Sequence, residues 1–258
     1  MRCLYREKYY VCGDYLEVNL YPAFKKPGQR SKKAKPTTAV QETLNQTNAE
    51  NHLARVANAN FTPADIKFEL TYSPEYNPQS AECAAKNLRN FFRRINRYRK
   101  KTNLPELKYI AVTERGERRG RYHHHVIMSG GILPEDIARI WGVGYVQKIL
   151  PLQFDECGVT GLAKYMTKKA IYYRRWNGSK NLIRPQPQVR DGRLSQTKAI
   201  ELARDTTNNA EFEKYYKGYN FAQAKTIHND INGGVYILMR FYKKSAKLCK
   251  VKPNKKSQ

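Results

Sequence analysis

Three consecutive histidines, His123 to His125, carry the strongest chemical signal in this sequence of 258 residues. The apolar residues that follow, Val126 to Met128, indicate a strand within a sheet. Alternate residues of a strand share one face, so the imidazoles of His123 and His125 can converge on one ion. His124 is expected to point the other way, into packing or a polar contact. Two other interpretations are a histidine cluster without a metal and an expression tag, although tags are longer and terminal.

Glu114 ends the strand that precedes these histidines. A hairpin turn of two or four residues places Glu114 opposite His123, on the same side of the sheet as His125. A slip of one residue would turn Glu114 to the other face. In the favoured register, one carboxylate and two imidazoles form an open site for a divalent ion. Phosphate chemistry favours Mg²⁺ or Mn²⁺, and imidazole ligands suit Mn²⁺ or Zn²⁺ better than Mg²⁺.

Tyr165 is the candidate nucleophile. On a predicted helix it shares a face with Lys168, Lys169 and Tyr172. A lysine one turn away can stabilise a phenolate or neutralise charge that develops on a phosphate. The chain has 19 tyrosines, and a tyrosine beside a lysine is usually a packing residue, so this pair carries weight only beside the metal motif.

These candidates lie in a regular series of strands and helices. The predicted strands are Lys67–Tyr72, Leu107–Glu114, Tyr122–Ser129 and Gly144–Leu150, and the predicted helices are Ser80–Lys101, Pro134–Trp141 and Gly158–Tyr173. Their order is that of a split βαβ sheet with one more helix appended. We therefore predict an α+β fold with an antiparallel sheet of split βαβ, ferredoxin-like type and helices on one face.

Extensions flank this series on both sides. The predicted N-terminal elements are a hairpin (Leu4–Val11 and Tyr15–Tyr21), a basic linker, and a helix (Thr38–Asn58) placed outside the main core because its apolar stripe is weak. The predicted C-terminal elements are a helix near Ser195–Asp205 and a strand, Val235–Tyr242, that can join the sheet.

The charge of the chain indicates its partner. Lys and Arg number 48 against 22 Asp and Glu, which gives a formal net charge of +26 and favours a polyanion. Nucleic acid is favoured over an acidic membrane, because the basic residues are spread along the chain and no lipidation motif or membrane-length apolar run is evident. The five cysteines form no C-x-x-C pair, which disfavours a zinc finger and fits a reducing cytoplasm. The candidates for contacts with a nucleic-acid backbone are Arg115, Arg118, Arg119, Arg121, Lys164, Lys169 and the arginines of residues 89–97.

Together these motifs resemble the HUH endonuclease superfamily, and within it the rolling-circle replication initiators (Rep) of bacterial plasmids and single-stranded DNA phages. The motifs that match are His123-His124-His125, Glu114 on the preceding strand, Tyr165-Met-Thr-Lys168, and the first strand Phe68-Glu-Leu-Thr-Tyr72. His124 stands where the family usually has a hydrophobic residue. The resemblance covers about residues 66–175, so residues 61–180 are interpreted as an HUH nuclease domain between segments 1–60 and 181–258.

The resemblance implies a site and a reaction. Glu114, His123 and His125 are expected to hold Mn²⁺ or Mg²⁺ while Tyr165 attacks a phosphate of single-stranded DNA, which leaves a 5′-phosphotyrosine link and a free 3′-OH. Lys168 is expected to neutralise charge, or to hold the phosphate or Tyr165. Tyr172 lies about 10 Å further along a helix, so a mechanism with two tyrosines is disfavoured.

The resemblance also implies partners. The sequence has no G-x-x-x-x-G-K-[ST] loop, so host helicase and host polymerase are the expected partners, in the cytoplasm of a bacterial host. Three alternatives stay open. A relaxase or transposase of the same superfamily shares the site, although relaxases usually have a third histidine where this chain has Glu114. The others are a non-catalytic basic DNA-binding protein and a zinc hydrolase.

Overall fold

The computed structural model describes residues 4–23, 39–116, 120–167, 176–229 and 233–246. Over these residues the fold is α+β, as predicted, with two antiparallel five-stranded sheets. In chain order the elements are β1 (Leu4–Cys12), β2 (Tyr15–Ala23), α1 (Ala39–Asn60), β3 (Ile66–Tyr72), α2 (Ala81–Lys101), β4 (Tyr109–Arg115), β5 (Tyr122–Met128), α3 (Pro134–Trp141), β6 (Gly144–Pro151), α4 (Thr160–Thr167), β7 (Asn177–Gly178), β8 (Gln188–Asp191), α5 (Gln196–Arg204), α6 (Asn209–Tyr215), β9 (Tyr219–Asn229) and β10 (Gly234–Lys243). None of the helices in these ranges is both long and apolar enough to span a membrane.

The chain divides into two compact units. The central unit comprises residues 49–153 and 159–183, and the terminal unit comprises residues 1–48, 154–158 and 184–258. The segments that flank the central series of strands and helices on its N-terminal and C-terminal sides therefore contribute to the same unit.

The central unit contains the sheet with strand order β6-β3-β5-β4-β7. Strands β3 and β4 each pair antiparallel with β5, which lies between them, so β3 and β4 run parallel and are joined through α2. Strand β6 pairs antiparallel with the other side of β3. This arrangement is the split βαβ sheet that the order of elements predicted, and it is consistent with an HUH-type α+β fold.

One face of the central sheet forms the core against α2 and α3. Phe91 and Ile95 of α2 and Trp141 of α3 are fully buried in one apolar cluster with Leu70 of β3. Helix α2 begins after Ser80, whose hydroxyl accepts a hydrogen bond from the backbone N–H of Cys83. That N-cap and the apolar stripe explain why the sequence located this helix well.

The second half of α1 is more buried than its sequence predicted. Leu53 and Val56 are fully buried, so the expectation that this helix lies outside the core does not hold for these residues. The side-chain carbonyl of Asn58 accepts a hydrogen bond from the backbone N–H of Val159. A buried polar group aligned with a loop N–H is a tertiary contact that helical periodicity does not reveal.

The terminal unit contains the second sheet, with strand order β8-β1-β2-β10-β9. Strand β10 pairs with β2 and β9, so the final strand predicted from the sequence belongs to this sheet and not to the sheet that contains β3. Val18, Ile237, Met239 and Phe212 are fully buried in its core. Strand β9 was not predicted, because its outward positions carry polar residues such as Lys225.

Two irregular features of β6 determine how it meets β3. The register between these strands shifts between Lys67 and Glu69, which leaves an extra residue in β6, and within this stretch Lys148 has a φ of 55°. A bulge of this kind changes the direction of the side chains that follow it. At the start of β6, Gly144 lies so close to β3 that an added Cβ would stand 2.1 Å from the carbonyl oxygen of Thr71.

This close approach makes a testable prediction. Gly144→Ala should lower the free energy of unfolding by about 2 kcal/mol or more, because the clash is with backbone that cannot rotate away. The matched control is Gly161→Ala on α4, where an added Cβ meets nothing within 4 Å, and helix propensity should raise stability by up to about 1 kcal/mol. Thermal denaturation of both variants measures the difference. Equal melting temperatures would contradict the β3–β6 packing.

Candidate metal centre and nucleophile

The hairpin of β4 and β5 has the register that the sequence favoured. Glu114 pairs with His123, and Val112 pairs with His125. Because paired residues of neighbouring strands share a face, Glu114 and the two histidines project from the same side of the sheet. This side is opposite to the apolar core formed with α2 and α3.

The side chains of this triad are close enough to share one ion. His123 Nε2 lies 3.1 Å from Glu114 Oε2, and His125 Nε2 lies 3.3 Å from the same oxygen. One ligand atom from each residue lies within 4.8 Å of the others. Three ligands at about 2.0–2.2 Å from a metal stand roughly 3–3.5 Å apart, so the triad fits a divalent cation with open coordination positions.

The carboxylate of Glu114 is held in its ionised form. Burial raises its pKa, but hydrogen bonds and charge from His123 and His125 outweigh burial and lower the pKa to about 2. An ionised oxygen that lies between two imidazoles is a strong ligand for a hard cation. The triad is therefore ready to bind a metal at neutral pH.

Glu69, which the sequence analysis did not single out, extends the cluster to β3. It pairs with His125 in the sheet, and its Oε1 lies 3.5 Å from His125 Nδ1. A carboxylate at Nδ1 favours a proton there and leaves Nε2 with a lone pair for the ion. The position could have been found from the alternation of β3, because Glu69 shares a face with Thr71, opposite to Phe68 and Leu70.

His124 points into the core, as expected. It is fully buried, with Nε2 2.9 Å from the Tyr72 hydroxyl and Nδ1 2.9 Å from the Thr113 hydroxyl. Burial, followed by the charges of His123 and His125, lowers the pKa of His124 to about 3. The neutral imidazole therefore ties β5 to β3 and β4, and this polar contact explains a histidine where the resemblance leads one to expect a hydrophobic residue.

Tyr165 approaches the triad from α4. Its ring centroid lies 5.3 Å from that of His125, with the rings at 76°. Ala163 and Met166 are buried and fix α4, while the side chain of Tyr165 stays 56% exposed. The phenol is thus beside the candidate metal site and open to a substrate. Lys168, Lys169 and Tyr172 lie outside the described residues.

The basic residues predicted to contact DNA differ in their surroundings. Arg115 donates a hydrogen bond from Nε to the Gly120 carbonyl, and its guanidinium lies 5.6 Å from the Tyr122 ring centroid. Lys164 is exposed on α4, and Arg121 is partly buried. Arg118 and Arg119 lie outside the described residues.

Comparison with known proteins gives one match. Residues 67–170, which run from β3 past the end of α4, match the model of a family described as Replication-associated protein ORF2. The match supports a Rep-type protein. No curated protein and no solved structure matches the chain. The matched region contains Glu69, Glu114, both candidate histidine ligands and Tyr165, and therefore the whole cluster described above.

Metal binding can be tested without DNA. Isothermal titration with Mn²⁺ should show one site, and Glu114→Gln or His125→Ala should weaken its affinity by more than about a hundredfold, because loss of a ligand exceeds the usual effect of an outer partner. The control is His228→Ala, since His228 is exposed on β9. Unchanged affinity in the two triad variants would show that the cluster does not hold the ion.

Proposed function

We propose that this protein initiates replication by nicking single-stranded DNA through attack of Tyr165 on a phosphodiester. The observation that carries the proposal is the position of an exposed phenol whose ring centroid lies 5.3 Å from that of His125, next to a triad that fits a divalent cation. The family match over residues 67–170 supports the biological context. The net charge of +26 supports a nucleic-acid substrate.

The reaction is a transesterification. The phenol oxygen of Tyr165 forms a bond to the phosphorus, and its proton passes to water. The bond from phosphorus to the 3′-oxygen breaks, and that oxygen takes a proton from water to become a free 3′-OH. The 5′ end stays linked to Tyr165, so the number of phosphoester bonds is unchanged.

The triad has a separate role in this scheme. A divalent cation held by Glu114, His123 and His125 supplies charge stabilisation for the phosphate oxygens, and Mn²⁺ or Mg²⁺ suits that task. Glu114 contributes negative charge to the site at neutral pH because its pKa is held at about 2. His124 keeps β5 in register from the opposite face, so that both ligating histidines point toward Tyr165.

The covalent link explains how strands can be rejoined. A 3′-OH that attacks the phosphotyrosine restores a phosphodiester and releases the phenol, without a high-energy cofactor. The 3′-OH released in the first step can prime synthesis by a host polymerase, with a host helicase to separate the strands. This sequence of steps is the one that rolling-circle replication requires.

A relaxase or transposase of the same superfamily is the second candidate, because it would use the same residues. The position facing His123 carries Glu114, and a third histidine is the usual residue in relaxases. A purely DNA-binding protein would account for the charge but not for an exposed tyrosine next to a metal-binding triad. A zinc hydrolase would cleave DNA without becoming linked to it.

The proposal predicts a covalent adduct. Incubated with Mn²⁺ and a pool of single-stranded oligonucleotides, the wild type should yield a protein–DNA adduct on a denaturing gel, and mass spectrometry should locate it at Tyr165. Tyr165→Phe should abolish the adduct because the attacking oxygen is lost. Tyr76→Phe is a matched control, since Tyr76 is 55% exposed and Tyr165 is 56% exposed.

The outcomes separate the candidates. Cleavage without an adduct would favour the zinc hydrolase, and binding without cleavage would favour the DNA-binding protein. An adduct that persists in Tyr165→Phe would exclude Tyr165 as the nucleophile, and the linked peptide would then identify the tyrosine that acts.

Binding and cleavage should also separate. His125→Ala should reduce nicking at least about a hundredfold while the dissociation constant for single-stranded DNA changes less than about threefold, because affinity depends mainly on backbone charge. Fluorescence anisotropy at several salt concentrations measures this affinity. A parallel loss of binding and nicking would indicate that His125 supports the fold and not the chemistry.

A further inference from the structure

Lys148 occupies an unusual backbone position beside the site. It lies in the β6 bulge with a φ of 55°, in the left-handed region that side chains rarely adopt. Glycine or asparagine would fill such a position at lower conformational cost. A lysine there is disfavoured by its backbone, so its side chain is the feature to explain.

The bulge directs the ammonium group of Lys148 toward the cluster. Lys148 Nζ lies 3.1 Å from both carboxylate oxygens of Glu69, and Glu69 Oε1 lies 3.5 Å from His125 Nδ1. Hydrogen bonding to Glu69 raises the pKa of Lys148, and the phenol of Tyr165 adds a smaller electrostatic contribution in the same direction. One cation therefore lies within electrostatic range of both the triad and the candidate nucleophile.

A surface ion pair alone does not explain this arrangement. The side chain of Lys148 is 65% exposed and that of Glu69 is 17% exposed. Ion pairs with one partner so exposed add little to stability, which does not compensate for a disfavoured backbone conformation. The exposed ammonium can instead be reached by an anion that approaches Tyr165 from solvent.

We propose that Lys148 is a catalytic residue that contacts the phosphate attacked by Tyr165, and that Glu69 is the positioning residue that holds its ammonium ready. In the free protein the ammonium donates to Glu69. In the complex it donates to a non-bridging phosphate oxygen and stabilises the negative charge that grows there during attack. This inference rests on the proposed nicking reaction, and adds to it a second cation from an element remote in sequence from Tyr165 and Lys168.

The test compares three variants. Lys148→Met should lower the single-turnover rate of adduct formation about ten- to a hundredfold, and Lys148→Arg should retain most of it. The matched control is Lys180→Met, because Lys180 is exposed next to β7, at the opposite edge of the sheet from β6, and removes the same charge. Mn²⁺ affinity should change less than about threefold in all three variants, since Lys148 contacts the phosphate and not the ion.

A second measurement needs no turnover. The wild-type reaction first maps the nicked phosphate, and an oligonucleotide with a neutral methylphosphonate at that position is then compared with the normal one in EDTA. Lys148→Met should bind the normal oligonucleotide several-fold more weakly than the wild type does. Both proteins should bind the methylphosphonate equally, because the partner charge is gone.

The failures are distinguishable. A wild type that forms no adduct would overturn the proposed function itself. A wild type that forms the adduct, with Lys148→Met equally fast, would overturn only the role of Lys148. If Mn²⁺ affinity falls together with the rate, Lys148 acts through Glu69 and His125, and the phosphate contact is wrong. Lys148→Gly, which relieves the left-handed backbone, guards against misfolding: it should melt no lower than Lys148→Met and be equally slow.

Discussion

The pairing of β4 with β5 is the constraint on which the candidate site depends. Glu114 and His123 face one another only in this register, and a shift by one residue would turn the carboxylate into the core. The register is fixed from the opposite face, where His124 contacts the hydroxyls of Tyr72 and Thr113 inside an apolar layer. Core packing on one side therefore sets the metal geometry on the other.

The two faces of β5 show how one short segment serves both purposes. His124 is neutral because burial lowers its pKa to about 3, so it behaves as a hydrogen-bonding core residue. Its neighbours His123 and His125 share the Glu114 carboxylate at 3.1 and 3.3 Å. Three residues of one type thus have two physical roles, which the two-residue period of a strand separates.

Charge is distributed unevenly around this site. A chain with a net charge of +26 places two carboxylates, Glu69 and Glu114, beside its candidate nucleophile. They suit a bound cation and an organised lysine, whereas the excess of basic residues elsewhere suits a DNA backbone. This division separates affinity from chemistry: many dispersed charges bind the strand, and a few well-placed groups act on one phosphate.

The sequence by itself determined the α+β class, the order of elements from β3 to α4, and the shared face of His123 and His125, because these follow from local periodicity and capping. It favoured the position of Glu114 but could not fix it, since register depends on contacts across strands. Only the tertiary structure decided the burial of α1, the strand partners of β10, and the roles of Glu69 and Lys148. The last two depend on a bulge between β3 and β6, residues far apart in sequence, and no local pattern encodes where such a bulge directs a side chain.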